Sequence, residues 1–216
     1  LNQTGISTTA DHCSSIQYAI PYYHTGISAS YPFADNFSAT GYLYNGWNSV
    51  EDNNKQKTVG ASLSWSPTSA LQLIGNVITG TEQVADPTHP RNVYEIIANY
   101  TASDKLSFSA DLNYGEERQA NDMLAIWKGV ALYGKYALSD ATALAVRAEN
   151  FYDYSGYGTV QDIKEVTATY EYKYLANLLL RLEYRIDFST VNVFTSKSGS
   201  PVNDQNTLTF GGVVTF

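Results

Sequence analysis

The feature that most constrains this chain is a two-residue alternation of apolar and polar side chains that recurs along almost its whole length. Residues 178–188 show it most clearly. Leu178, Leu180, Leu182, Tyr184, Ile186 and Phe188 share one phase, and Arg181, Glu183, Arg185 and Asp187 share the other, with Leu179 at its start. Successive side chains of a strand point to opposite faces, so this segment is greasy on one side and charged on the other. The pattern returns at 165–174, where Val166, Ala168, Tyr170, Tyr172 and Tyr174 oppose Glu165, Thr167, Thr169, Glu171 and Lys173. It returns again at 59–65, 106–114 and 205–216.

Period-two patterning bounded by turn residues predicts eleven strands, at about 22–33, 36–46, 57–66, 70–80, 91–101, 104–115, 124–137, 141–152, 161–174, 176–189 and 205–216. Most are close to the roughly 9–11 residues that cross a bilayer at a tilt. The connections alternate in length. Ala34-Asp35, Pro67-Thr68-Ser69, Ala102-Ser103, Ser139-Asp140 and Leu175 are short, whereas 47–56, 81–90, 116–123, 153–160 and 190–204 are long. Short turns at one end and long loops at the other characterise outer-membrane barrels. The expected fold is therefore all-β: an antiparallel transmembrane β-barrel over residues 22–216, preceded by a loop or partial strand at 1–21. It has eleven strands, or twelve if Ser15–Ile20 supplies one. Single-chain bacterial barrels normally have an even strand number, so further strands upstream are expected in the full-length protein. A soluble β-sandwich is the competing fold.

Composition excludes several other classes. No apolar run approaches the roughly 20 residues of a membrane helix, although hydrophobic residues make up 44% of the chain. Tyrosine occurs 18 times, against 8 Phe and 3 Trp, which suits boundaries where the ring lies in oil and the hydroxyl in water. The net charge of −8 argues against nucleic acid, whose phosphates need a basic face. Cys13 is alone, and His12, His24 and His89 are scattered, so no metal cluster or cofactor site is expected. No G-x-S-x-G, Walker loop, H-E-x-x-H or Ca²⁺-loop pattern is present, and the chain is not expected to be an enzyme. Leu1-Asn2-Gln3 does not open a signal peptide. The acids Glu51, Asp52, Glu116, Glu117 and Asp122 are expected in solvated loops.

Two sets of residues are candidates for function. The polar phase of the strands gives a lumen wall of Glu95, Asp111, Glu149, Glu165, Glu171, Glu183 and Asp187 with Lys135, Arg147, Lys173, Arg181 and Arg185, two negative charges in excess. Basic side chains at the bilayer midplane cost about 2–4 kcal/mol against lipid, so these groups need water or each other. They either tune a channel or fill a narrow barrel with ion pairs. The second set is two aromatic belts, with Tyr31, Trp65, Tyr100 and Tyr136 near the short turns and Trp47, Tyr114, Trp127 and Tyr152 near the long loops.

The segments Ile20-Pro21-Tyr22-Tyr23-His24-Thr25-Gly26, Tyr31-Pro32, Asn45-Gly46-Trp47-Asn48, Asp52-Asn53-Asn54, Lys57-Thr58-Val59-Gly60-Ala61 and Arg147-Ala148-Glu149-Asn150-Phe151-Tyr152-Asp153 resemble the OmpL-like family of outer-membrane β-barrel porins. The resemblance covers roughly residues 14–216. It implies a Gram-negative outer-membrane barrel with a pore function, and strands upstream of the Pro-Tyr-Tyr-His-Thr-Gly patch. The terminal Phe216 resembles the signal read by the outer-membrane assembly machinery. The expected activity is passive diffusion of small hydrophilic solutes or ions, with a weak cation preference. The alternative is a barrel that sheathes a partner protein, such as an electron-transfer conduit. The expected partners are the lipid bilayer, the assembly machinery and small solutes or ions, with a homo-oligomer or partner protein also open.

Overall fold

The structure, a computed structural model, describes residues 18–52, 54–83, 88–153, 155 and 161–215. Ten strands follow one another: β1 (Gly26–Ala34), β2 (Phe37–Tyr44), β3 (Thr58–Thr68), β4 (Leu71–Thr81), β5 (Pro90–Thr101), β6 (Leu106–Arg118), β7 (Leu124–Ala137), β8 (Thr142–Asp153), β9 (Gln161–Leu175) and β10 (Leu178–Ser189). Two short strands, β11 (Phe194–Thr195) and β12 (Pro201–Val202), form a small hairpin, and β13 (Asp204–Val214) closes the series. The long strands make one eleven-stranded antiparallel sheet in sequence order, β1 through β10 and then β13.

All eleven expected strands are present, and β7 spans the expected residues. Two local differences have clear causes. The first strand begins at Gly26, because Tyr22 and Tyr23 are engaged elsewhere: both main-chain N–H groups donate to Asn48 Oδ1, and the Tyr23 hydroxyl donates to the Asn48 carbonyl. The hairpin β11–β12 has strands of two residues, too short to show a period.

Register keeps the alternation in phase across the sheet. Arg181 lies opposite Glu171 and Gly211, and Leu182 opposite Tyr170 and Phe210. A slip by one residue would exchange the two faces of a strand, so this phasing is what the hydrophobic pattern enforces. One face carries exposed Leu112, Leu132, Leu144, Val146, Val166 and Leu182. The other carries buried Glu95, Arg147, Glu165, Thr167, Glu183 and Asp187. The greasy side faces out and the charged side faces in, the reverse of a soluble sandwich.

The sheet is strongly curled. A single cluster unites Tyr44 of β2, Ile78 of β4, Val93 of β5, Trp127 of β7 and Phe151 of β8. In a flat sheet β2 and β8 would stand roughly 29 Å apart at the usual strand spacing. Strands β1 and β13 form the two edges, and neither pairs with the other among the described residues. The alternation of connections also holds. Two residues separate β1 from β2, β3 from β4, and β9 from β10, whereas segments 45–57 and 82–89 bridge the opposite end.

Candidate functional site

The inward phase of β7 to β10 carries two groups of ion pairs. Arg147, with no exposed surface, places Nε 3.0 Å from Glu149 Oε1 and donates to Glu165 on the neighbouring strand. Arg185 Nη2 reaches both Glu165 Oε2 at 3.1 Å and Asp187 Oδ1 at 2.6 Å. Lower in the wall, Glu171 accepts from Arg181 Nε at 3.0 Å and from the Lys135 ammonium. Thr167 donates to Glu165 at 2.7 Å, Thr169 to Glu183 at 2.8 Å, and Gln205 Nε2 to Asp187 at 2.9 Å. Cross-strand neighbours in a sheet lie about 5 Å apart at Cβ, so opposite charges on adjacent strands meet without distortion.

Glu95 and Asp111 occupy the same face but a different setting. Asn76 Nδ2 donates to Glu95, and Asn113 Nδ2 donates to Asp111 Oδ1 at 2.8 Å. Both carboxylates are buried, at 3% and 6% exposed, and no basic side chain is recorded in an ion pair with either among the described residues. From β1 to β4 this face is uncharged, and hydroxyl and amide side chains of β1 to β6 link across it. Ser30 and Thr40 hydroxyls meet at 2.9 Å, Asn99 Nδ2 donates to Gln72 Oε1 at 3.2 Å, and the Ser109 hydroxyl donates to Asn99. The wall therefore has a charged flank and a neutral flank, with an acidic pair between them.

Of the twelve residues read as lumen-facing, the fold brings eight into these ion pairs: Lys135, Arg147, Glu149, Glu165, Glu171, Arg181, Arg185 and Asp187. Glu183 accepts from Thr169, and Glu95 and Asp111 stand on the same face. Lys173 keeps the inward phase but is exposed near the short turn that ends β9.

The belt residues divide. Tyr31, Trp65, Tyr100 and Tyr136 are exposed on the outer face toward the short turns. Tyr114 and Tyr152 take the outer face toward the long loops, where Tyr114 lies 6.3 Å from Tyr94. Trp127 and Trp47 do not belong to a belt. Trp127 shares the inward phase of Lys135, is fully buried, and donates from its indole Nε1 to the Ala19 carbonyl at 2.9 Å. Trp47 packs edge-on against it at 6.4 Å and lies under the Arg91 guanidinium at 4.9 Å. Phase, counted from Lys135, distinguishes the two faces, whereas nearness to a strand end does not. The expected assembly signal, Phe216, lies outside the described residues.

The loop acids also need correction. Glu116 and Glu117 belong to β6. Glu117 is buried on the inner face, where Arg91 Nη2 approaches its Oε1 at 3.1 Å. Asp52 does sit in a loop, and its partner Lys57 at 2.6 Å holds the carboxyl below the usual carboxylate range. Three elements at the long-loop end were not legible in advance: Glu82, which accepts from Trp47 N at 2.7 Å and from the Thr58 hydroxyl; the Arg91–Glu117 pair; and the Trp127–Phe151 surface on which Ala19 and Ile20 rest.

An antiparallel sheet in sequence order, curled, with an apolar exposed face and a charged buried one, defines an outer-membrane β-barrel of the porin class. The sequence of residues 11–216 matches the family described as beta-barrel porin-2, OmpL-like, and the chain belongs to that family. None of the curated proteins matches it. Among solved structures, the anion-selective porin of Comamonas acidovorans superposes with a TM-score of 0.69 at 9% identity, over 87% of this chain and 58% of that one. The trimer form of OmpT, an outer membrane protein of Vibrio cholerae, gives 0.60 at 18% identity, over 87% of this chain and 62% of that one. Another OmpT structure, folded in vitro, gives 0.61 at 20% identity, over 96% and 73%. These likenesses show the fold. This chain thus spans 58% of the first porin's length and 62% of the trimer form's.

Proposed function

We propose that this chain forms the wall of a passive outer-membrane pore in a Gram-negative bacterium, for small hydrophilic solutes or ions. The observation that carries this reading is the two-faced wall: exposed aliphatic side chains outward on every long strand, and charged, hydroxyl or amide side chains inward. Such a wall holds a wet interior inside a lipid environment. The twelve inward residues from Glu95 to Asp187 would line the route, and edges β1 and β13 would be joined by further strands of the same barrel. The outer aromatics would sit at the two membrane interfaces, and Phe216 would serve recognition by the assembly machinery. Membership in a porin family supports the same reading. Transport of this kind needs no bond chemistry, cofactor or metal.

The preference is for cations. Lys135, Arg147, Arg181 and Arg185 are matched by Glu149, Glu165, Glu171 and Asp187, so the acidic excess of the twelve wall residues rests on Glu95, Asp111 and Glu183 against Lys173. One structural relative is a trimer form, and a homo-oligomer of this protein would be seen by cross-linking in detergent. Single-channel recording of the full-length protein in planar bilayers tests the reading. Stepwise ohmic currents with a modest cation-selective reversal potential are expected. A silent protein that co-purifies with a second polypeptide would instead mark the barrel as that partner's sheath.

A further inference from the structure

The long-loop mouth of the barrel holds an apolar body inside the lumen, where a water-filled route would be expected. Residues 18–25, just ahead of β1, turn inward. Ala19 is fully buried and Ile20 nearly so, and they pack with Ile78, Val93, Trp127 and Phe151 from four different strands. Tyr18 tilts against Phe151 at 5.7 Å, and His24 stacks on Tyr44 at 3.9 Å. The Trp127 indole is the fastening, through its 2.9 Å bond to the Ala19 carbonyl. From the other side Trp47, on the connection between β2 and β3, meets Trp127 edge-on. Strands β2 and β7 are thereby bridged across the interior.

The wall is shaped to receive this body. Gly115 lies directly opposite Trp127 in the register of β6 and β7. A Cβ at Gly115 would fall 1.9 Å from Trp127 Cε2 and 2.2 Å from Cζ2, so the indole lies flat over a gap that any other residue would fill. Gly115 adopts no unusual backbone conformation; the space for the ring is what calls for glycine. Aromatic rings turned into a lumen expel water, and apolar constrictions limit conduction by dewetting.

Resting on the porin reading above, we propose that Ala19–Ile20, clamped by Trp127 on Gly115, is the permeation-limiting constriction of this barrel. It closes the mouth over β4 to β8 and confines solutes to the side of β9 and β10. Trp127 acts here by holding the segment in place, and Ile20 acts by occupying the route.

The test is single-channel conductance of the full-length protein and of its Trp127→Ala and Gly115→Val variants in KCl, with heat-modifiable electrophoretic mobility confirming that each is folded. The first variant removes the clamp, and the second lifts the indole off its seat without removing it. Conductance at least about twofold above wild type in folded Trp127→Ala supports the constriction, and the same rise in Gly115→Val supports its mechanism. A silent wild type with a conducting Trp127→Ala also supports it, as a tighter closure. Equal conductance in all three overturns the constriction and leaves the porin reading intact. Silence in all three, with every protein folded, overturns both. A role in packing alone would lower the unfolding temperature of Trp127→Ala without changing its conductance, and that result would also overturn the proposal.

Discussion

At the scale of single residues, Arg147 shows how a fully buried guanidinium is held by carboxylates on its own strand and on the next. Arg147 has no exposed surface, yet both of its carboxylate neighbours are equally buried and each accepts from the guanidinium. Removing one partner strands the others, whereas removing both partners together leaves less to satisfy. Arg147→Ala is expected to cost about 3–5 kcal/mol in denaturant unfolding from lipid vesicles. The double change Arg147→Met with Glu165→Gln should cost clearly less than Arg147→Ala. Equal losses would show that the pair is not coupled. His24 offers a second test. Burial against Tyr44 lowers its pKa from the usual imidazole value, and a hydrogen bond with the Gly46 backbone opposes that only in part. The unfolded chain therefore takes up the proton first as pH falls, and the neutral ring's contribution is present above about 6.5 and lost below it. Thermal melts from pH 7.5 to 5 should fall more steeply for wild type than for His24→Phe, and parallel curves would refute the assignment.

At the scale of elements, strands and loops were legible to different degrees for a physical reason. A strand that separates oil from water must alternate, and β9 does so from Glu165 to Lys173 and β10 from Leu180 to Phe188, so the faces of those stretches could be read directly. A loop has no such obligation, and its contacts come from distant segments. The connection between β2 and β3 is fastened by Glu82, which sits beyond β4 and accepts from both Trp47 N and Thr58 Oγ1. That latch needs Gly80, since a Cβ there would lie 2.8 Å from the Thr58 Cα. Gly80→Val should push β3 from β4 at the mouth and cost about 1–3 kcal/mol by overpacking. Glu82→Ala should leave the barrel folded while speeding amide exchange at Trp47. Protection at Trp47 that survives Glu82→Ala would mean that the loop is held by its own Lys57–Asp52 pair instead. Trp127 shows the same limit. Its position near a strand end placed it in a belt, but its phase and its partner Ala19, 108 residues away in sequence, place it inside.

At the scale of the whole molecule, the sign of the interior depends on which charges cancel. Counting side chains gives a small acidic excess, and the ion pairs show where it resides. Neutralising Glu95→Gln and Asp111→Asn together is expected to move the reversal potential in a salt gradient toward anions. Removing Arg181 and Glu171 together should leave it nearly unchanged, because that pair already cancels. If both double variants shift equally, the interior responds to total charge, and position within the wall has no influence.

By itself the sequence determined the eleven long strands, their two faces, the alternation of short and long connections, and the inward phase of the twelve charged residues from Glu95 to Asp187. All of these follow from one local rule: a segment between oil and water must present a different face to each. Only the tertiary structure decided which inward charges cancel, which aromatics leave the lipid side, and that residues 18–25 fold into the mouth. Those outcomes depend on how the sheet curls and on which distant strands then face each other, and no two-residue period records that.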